Sequence, residues 1–296
     1  MSLVSLAEEY FDCVAGCLEA ASQTEKKKYK ACTASCRSRY IEDVKDVVNK
    51  VFAEVAGPLW SHIRWVSEGL AGHGRSVGIV EAELVERAFI RGGPSLPLLE
   101  LTVGIHPLFL VPFIPGSSLK GLVRSMFLDY AVSSLGVEEA EAERCSRVLF
   151  GSAGDSWGRS GYGVGVVGFL DAYPVSSGAE GLLAGEVLTP HYKKEKENER
   201  VRSEIEASPR PVVGVAVGRG TRFLIVFYVD GTRWPRGGGE CRALQERVNL
   251  EPAPRLAWFV AGLLLRGLEY AGCCGKSGRG FGGFSVRSFR IISRPQ

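Results

Sequence analysis

Two stretches of this 296-residue chain combine glycine, hydroxyl and cationic side chains at spacings suited to holding a phosphate. The first is Ile114-Pro-Gly-Ser-Ser-Leu-Lys-Gly-Leu-Val-Arg124. Ser117 reads as the N-cap of a helix, so the N–H groups of the first turn and the hydroxyls of Ser117 and Ser118 would face an incoming anion. Lys120 and Arg124 stand four apart and put two cations on one helix face, with Gly121 leaving room for close approach. A capped helix with a solvated basic stripe has the same pattern, and both readings stand at this point.

The second stretch is Gly272-Cys-Cys-Gly-Lys-Ser-Gly-Arg-Gly-Phe-Gly-Gly283. Its Gly275-Lys276-Ser277 is not a P-loop. That motif needs a glycine where Tyr270 stands, and it needs a strand before the loop, whereas a helix is expected here. What remains is a side-chain-poor backbone able to wrap a phosphate, with Lys276, Ser277 and Arg279 supplying charge and a hydroxyl. From residue 272 onward come Lys276, Arg279, Arg287, Arg290 and Arg294 with no acidic residue, in a chain whose net charge is only +3. Phe281 and Phe284 could stack on bases or face a core, and a plain glycine turn is the competing reading of the loop.

The other chemistry-bearing residues are sparser. His62, His73, His106 and His191 show no catalytic or metal-ligand spacing. Pro190-His191-Tyr192-Lys193 does gather groups able to move protons in metal-independent RNA cleavage. Asp155 and Asp171 are expected to be single carboxylates without partners, and neither a metal site nor a cofactor is expected. Cys13, Cys17, Cys32 and Cys36 form C-x3-C, fourteen residues, then C-x3-C. Each pair falls on one face of a helix, so a helical hairpin turning through the polar stretch 23–30 would allow the rungs Cys13–Cys36 and Cys17–Cys32. Reduced thiols and a zinc site remain as alternatives, although zinc favours C-x2-C. Cys145, Cys241, Cys273 and Cys274 show no metal spacing.

These residues need elements to hold them. A chain that is 45% hydrophobic and 23% charged is that of an ordinary folded protein, and a dedicated nucleic-acid coat would usually be more basic than +3. Glycine occupies 37 positions, where an average chain of this length would hold about 20. Three asparagines, three glutamines and two methionines suggest a hot habitat. Residues 3 to about 70 read as helical, with Val44, Val47, Val48, Val51 and Val55 at three- and four-residue intervals. Strands are expected over 79–89, 98–105, 164–171, 212–217, 222–229 and 284–292, and helices over 117–130, 137–147 and 255–270. The run 193–210 reads as a charged surface loop. Residues 1–72 are expected to be a helical extension and 73–296 an α+β domain of elaborated ferredoxin-like type. Met1 to Val14 lacks a basic targeting region, and the apolar stretch 256–265 is too short to span a bilayer, so a cytoplasmic protein without membrane contact is expected.

Taken together, Phe113 to Arg124, Leu149-Phe-Gly151 with Gly168-Phe-Leu-Asp-Ala172 downstream, Pro190-His-Tyr192 ahead of Pro209 and Pro211, and the C-terminal glycine loop resemble the RAMP superfamily of CRISPR-associated proteins. In their order they are most similar to the sixth-subunit family of type III-B (Cmr) effector complexes. The resemblance covers roughly residues 75 to 292. It implies a ferredoxin-like, non-catalytic backbone subunit in antiviral defence that binds CRISPR guide RNA through its phosphates, and its RNA target. It also implies packing beside other Cmr subunits, including similar RAMP subunits and a small helical one. Under it, Ser117, Ser118, Lys120, Arg124, His191, Lys276, Ser277 and Arg279 are the RNA-binding candidates. A repeat-processing endoribonuclease using His191 and Tyr192, an activity of other superfamily members, is the alternative, and a scaffold without RNA contact is a third. The cysteine-bearing hairpin lies outside the pattern.

Overall fold

The computed structural model describes residues 3–20, 26–91, 95–96, 99–152, 163–189, 211–251 and 253–293. The chain opens with two helices, α1 (Leu3–Ala20) and α2 (Lys26–Gly72). At 1.5 Å per residue α2 is about 70 Å long, against about 30 Å for a nine-residue strand, so it outruns the sheet it packs on. Its buried positions Cys36, Tyr40, Ile41, Val44, Val48, Phe52, Leu59, Ile63 and Ala71 recur mostly every four residues. Each such step advances 400° rather than a whole turn, so the stripe winds round the helix and meets α1 first and the sheet later. The hairpin is crossed by disulfides Cys13–Cys36 and Cys17–Cys32, with Cα–Cα distances of 5.9 and 5.8 Å. Of the three cysteine readings this is the ladder.

The main sheet contains β1 (Ser76–Leu84), β2 (Val167–Phe169), β3 (Tyr173–Ser176), β6 (Arg222–Val229) and β7 (Phe284–Ile292). All pairings are antiparallel, in the order β2-β6-β1-β7, with β3 continuing the β2 edge along β6. A separate hairpin joins β4 (Leu183–Leu188) to β5 (Val212–Val217). Helix α3 (Gly116–Asp129) follows β1 and runs on as a wide turn over Tyr130–Ser134, and α4 is Glu139–Phe150. Between β6 and β7 lie α5 (Arg242–Val248) and α6 (Ala253–Arg266).

Strand alternation separates the two faces of the sheet. One face carries Phe223, Phe227, Val80, Ala82 and Phe284, all buried, together with Phe289, whose ring lies edge-on to Trp258 of α6 at 5.0 Å. Helices α3 and α6 cover it. On the other face Val77, Ile79 and Val226 are buried where α2 packs on β1. Further along that face comes a charged ladder: Arg287 binds Glu83 through two nitrogens at 2.8 and 3.0 Å, and Arg222 bonds to both Glu81 and Glu83.

Several expectations need correction. The first strand is 76–84 rather than 79–89, because the chain leaves the sheet at Val85. Residues 99–105 form isolated bridges only, Leu101 to Gly214, Gly104 to Ser95 and Ile105 to Pro112, in place of a strand over 98–105. The expected strand 164–171 shortens to 167–169, because the chain turns over Leu170 to Ala172, where Ile114 and Ala172 exchange backbone bonds of 2.9 and 2.8 Å, and the strand that follows, 173–176, was not expected. A third disulfide, Cys145–Cys241, ties α4 to the turn before α5 across a sequence separation of 96, which no local spacing could announce. His191, Tyr192, Asp155 and the run 193–210 lie outside the described residues.

Candidate nucleic-acid interface

Helix α3 is amphipathic in the simplest way. Leu119, Val123 and Phe127 are fully buried at four-residue steps, and Ser117, Lys120, Gly121 and Arg124 fall on the opposite face. Its N-cap is Pro115 rather than Ser117, and no side chain of the same turn caps it. The Gly116 N–H donates instead to Asp171 Oδ1 at 2.7 Å, from the loop between β2 and β3. Glycine is required at 116, because a Cβ there would meet the carbonyls of Phe169 and Leu170. Asp171 therefore has a partner, contrary to the sequence expectation. A carboxylate now sits where the helix dipole is most positive, so a phosphate meets less attraction at the tip of α3 than along its outer face.

That outer face is the floor of a cleft of about 440 Å³, lined by Ser117, Lys120, Gly121, Arg124, Phe150, Gly151, Ser152, Gly163 and Phe169. The sequence-predicted residues Ser117, Lys120 and Arg124 are thus brought together, while Ser118 is turned away from the lining. Lys120 is half-buried, and loss of hydration pushes its ammonium below the ordinary lysine pKa. Among the described residues it has no hydrogen-bond or ion-pair partner. Arg124 differs: its Nη2 lies 3.1 Å from Glu143 Oε2 on α4, so it already has an acidic partner. The half-buried Lys120, the partly paired Arg124, the Ser117 hydroxyl and the exposed Gly121 make a site that favours an oxyanion.

The glycine loop is built differently. Backbone bonds fasten it to the chain just after β1: Gly275 N–H to Phe89 O at 2.7 Å, Gly282 N–H to Arg87 O at 2.9 Å, and Val85 N–H to Gly283 O at 2.9 Å. Gly272, Cys274, Lys276, Gly280 and Gly282 all have positive φ, so the backbone doubles back repeatedly. Ser277 to Arg279 form a single 3-10 turn that projects Ser277 and Arg279 into solvent. Phe281 packs on Phe89 with ring centroids 4.9 Å apart and Phe284 is buried against Phe223, so both aromatics face the core. Cys274 is held well above the ordinary thiol range by its hydrogen bond with Cys273 and by burial. Arg287 is bound to Glu83, which leaves Lys276, Arg279 and Arg290 as the cations of this region without an ion pair among the described residues. No hydrogen bond or ion pair among those residues joins the loop to the α3 cleft.

A larger cleft, about 760 Å³, lies by Trp234, Gln245, Asn249 and Glu251 at the start of α6. Its polar groups serve one another: Trp234 Nε1 donates to Glu251, and Gln245 Oε1 accepts from Leu250 N–H at 2.8 Å. It contains none of the sequence-predicted residues. Sequence reasoning missed Glu143 and Ser152 and gave no role in the smaller cleft to Asp171, Phe150 or Gly151, although Leu149-Phe-Gly151 and Gly168-Phe-Leu-Asp-Ala172 stood out beforehand. No helix among the described residues is long and apolar enough to cross a membrane.

The chain matches the sequence pattern of the RAMP superfamily over residues 81–285, which takes in the end of β1, the cleft floor and the glycine loop. It is 32% identical over 154 residues to the CRISPR system CMR subunit Cmr6 of Saccharolobus solfataricus (strain ATCC 35092 / DSM 1617 / JCM 11322 / P2). That alignment covers 51% of this chain and 45% of the relative, so it spans just under half of the relative's length. In three dimensions the chain is similar to one in the cryo-EM structure of the Type III-B Cmr-beta bound to cognate target RNA, with a TM-score of 0.55 at 23% identity. The overlay covers 86% of this chain and 77% of that one, a likeness of fold. With mixed helix and antiparallel sheet, and the family pattern running through well over half of its residues, the chain belongs to the RAMP superfamily.

Proposed function

We propose that this protein is a non-catalytic subunit of a type III-B CRISPR effector complex, holding guide RNA by its phosphates along the outer face of α3. The observation that carries the reading is Lys120, half-buried in the cleft with no acidic partner among the described residues. An ammonium held partly out of water without a counter-ion costs stability, and a backbone phosphate would supply that counter-ion. Phosphate contacts position RNA without reading its sequence, so binding would be largely indifferent to the spacer and steeply dependent on salt. Lys276, Ser277 and Arg279 would add a second contact, in which Ser277 and Arg279 are exposed. Partners are other Cmr subunits, in keeping with the name of the Saccharolobus relative, and RNA, in keeping with the complex that shares the fold.

The strand order β2-β6-β1-β7, with α3 and α6 as the two crossovers on one face, supports a ferredoxin-like core over 73–296 and an added helical unit over 1–72. Titrating guide RNA at low salt tests the reading. A Lys120→Glu, Arg124→Glu double variant should bind at least about a hundredfold more weakly, because two attractive phosphate contacts become repulsive. Parental affinity in that variant would defeat the assignment. The endoribonuclease alternative predicts a defined cut in repeat RNA in EDTA that His191→Ala abolishes, and the present reading predicts none.

A further inference from the structure

We propose that the outer face of α1 is a docking surface for an amphipathic helix of another protein, one that carries a row of lysine or arginine beside its apolar stripe. Val4, Phe11 and Leu18 are 68%, 58% and 59% exposed, although each is a large apolar side chain. They stand seven apart, with the half-buried Ala7 and Val14 between them, which is the a/d spacing of a helix seam. At 100° per residue these five positions share an arc of about 80° and run about 21 Å along the helix. Single exposed apolar residues need no explanation, but a complete seam on one 18-residue helix does.

The seam is not the face that α1 uses at home. Leu6, Tyr10 and Cys17 point to α2, with Tyr10 and Tyr40 ring centroids 5.3 Å apart, and the two disulfides clamp that side. A helix of this length is marginal alone, so the cross-bridges keep α1 standing while its outer stripe stays open. Charge selects the occupant. Glu8, Asp12 and Glu19 border the seam on its solvent side, Glu9 lies beyond them, and α1 has no basic residue. A second copy of α1 would bring acid against acid along the seam, and an anionic lipid surface would be repelled too. A helix with a cationic flank would bury the seam and pair with the acidic row.

The test uses the full chain with its disulfides intact and two designed 21-residue helical peptides, both with leucine at a and d. One carries lysine at every flanking position and the other glutamate. Fluorescence anisotropy should show the lysine peptide binding at least about tenfold more tightly, with the preference shrinking as salt rises. A Phe11→Glu, Leu18→Glu variant, altered at exposed positions only, should lose at least about tenfold of that affinity. Should that variant misfold by circular dichroism or expose thiols, Glu8→Lys, Glu19→Lys serves instead and should reverse the preference toward the glutamate peptide. Equal binding of both peptides, or a preference that neither variant moves, would overturn the proposal. So would self-association in sedimentation that Phe11→Glu, Leu18→Glu abolishes, because that would give the face to a second copy.

Discussion

Lys120 and Lys276 sit in segments of similar composition, Gly-Ser-Ser-Leu-Lys-Gly in one and Gly-Lys-Ser-Gly in the other, and the fold treats them in opposite ways. Lys120 rides on a regular helix whose far side is core, and its charge is half-withdrawn from water into a cleft. Lys276 sits at φ +64° on an irregular loop whose shape is kept by backbone bonds to 85–89, followed by the exposed Ser277 and Arg279. In the first segment glycine serves the outer surface; in the second it makes the path of the chain possible. Similar residues therefore do different work: the cleft is a place for a ligand group, and the loop is first a structural clasp that exposes charge as a by-product.

The largest effect should come from the cleft's remote brace. Cys145–Cys241 holds α4, which supplies both Glu143 and the Phe150 wall, to the chain before α5. Closing a loop of that length is worth about 4 to 5 kcal/mol against the unfolded state. A Cys145→Ser, Cys241→Ser protein should unfold at a temperature lower by ten degrees or so in calorimetry, and should lose RNA affinity through the cleft while charge reversal at Lys276 keeps its usual effect. An unchanged transition would show that α4 is held by packing alone.

Next comes Gly282→Ala. A Cβ there would run into the Cys273 carbonyl at a φ of +73°, so the substitution should cost about 2 to 3 kcal/mol, read from denaturant midpoints. Loss of the clasp should loosen 85–89 and the start of β7, visible as faster amide exchange there, and leave α3 protected. If α3 loosens equally, the loop and the cleft helix are one cooperative unit rather than two separately held regions.

The binding comparison is Lys120→Met against Lys276→Met. The half-buried cation should cost about tenfold or more in guide-RNA affinity and the loop cation about threefold, each lowering the salt slope by roughly one. Burial also gives Lys120 a pH signature. A lysine is charged below its pKa, and burial lowers that of Lys120, so as pH climbs through the alkaline range its charge is lost before that of an ordinary lysine. Affinity should fall there in the parent and fall less in Lys120→Met. Overlapping pH profiles would mean that Lys120 does not touch RNA.

Most of the elements were legible beforehand because their periodicity is strong. The core stripe Leu119, Val123, Phe127 is visible as spacing, and so is the cysteine ladder, since two C-x3-C faces can meet in only a few ways. The failures have a common cause. Asp171 capping Gly116, Glu143 neutralising Arg124, Arg287 bound by Glu83, and Cys145 joined to Cys241 all pair residues between 19 and 204 positions apart. A chain read along its length shows which residues can ionise or bond, and only the folded topology shows which are already spoken for. That is why the basic tail looked stronger in sequence than its surface proves to be.

The smallest effect separates the two uses of glycine most cleanly. Gly121 has a helical φ, and a Cβ there would meet nothing within 4 Å, so the protein's own packing gives no reason for glycine. Within a helix glycine is less favourable than alanine by about 0.5 to 1 kcal/mol, so Gly121→Ala should raise stability by that amount, opposite in sign to Gly282→Ala. The same methyl would stand on the cleft floor between Lys120 and Arg124, where a phosphodiester would have to approach the helix backbone. Guide-RNA affinity should therefore drop about three- to tenfold while the midpoint of unfolding rises. A variant that gains stability without losing affinity would place the RNA elsewhere on α3, because the cleft floor would then be filled at no cost to binding.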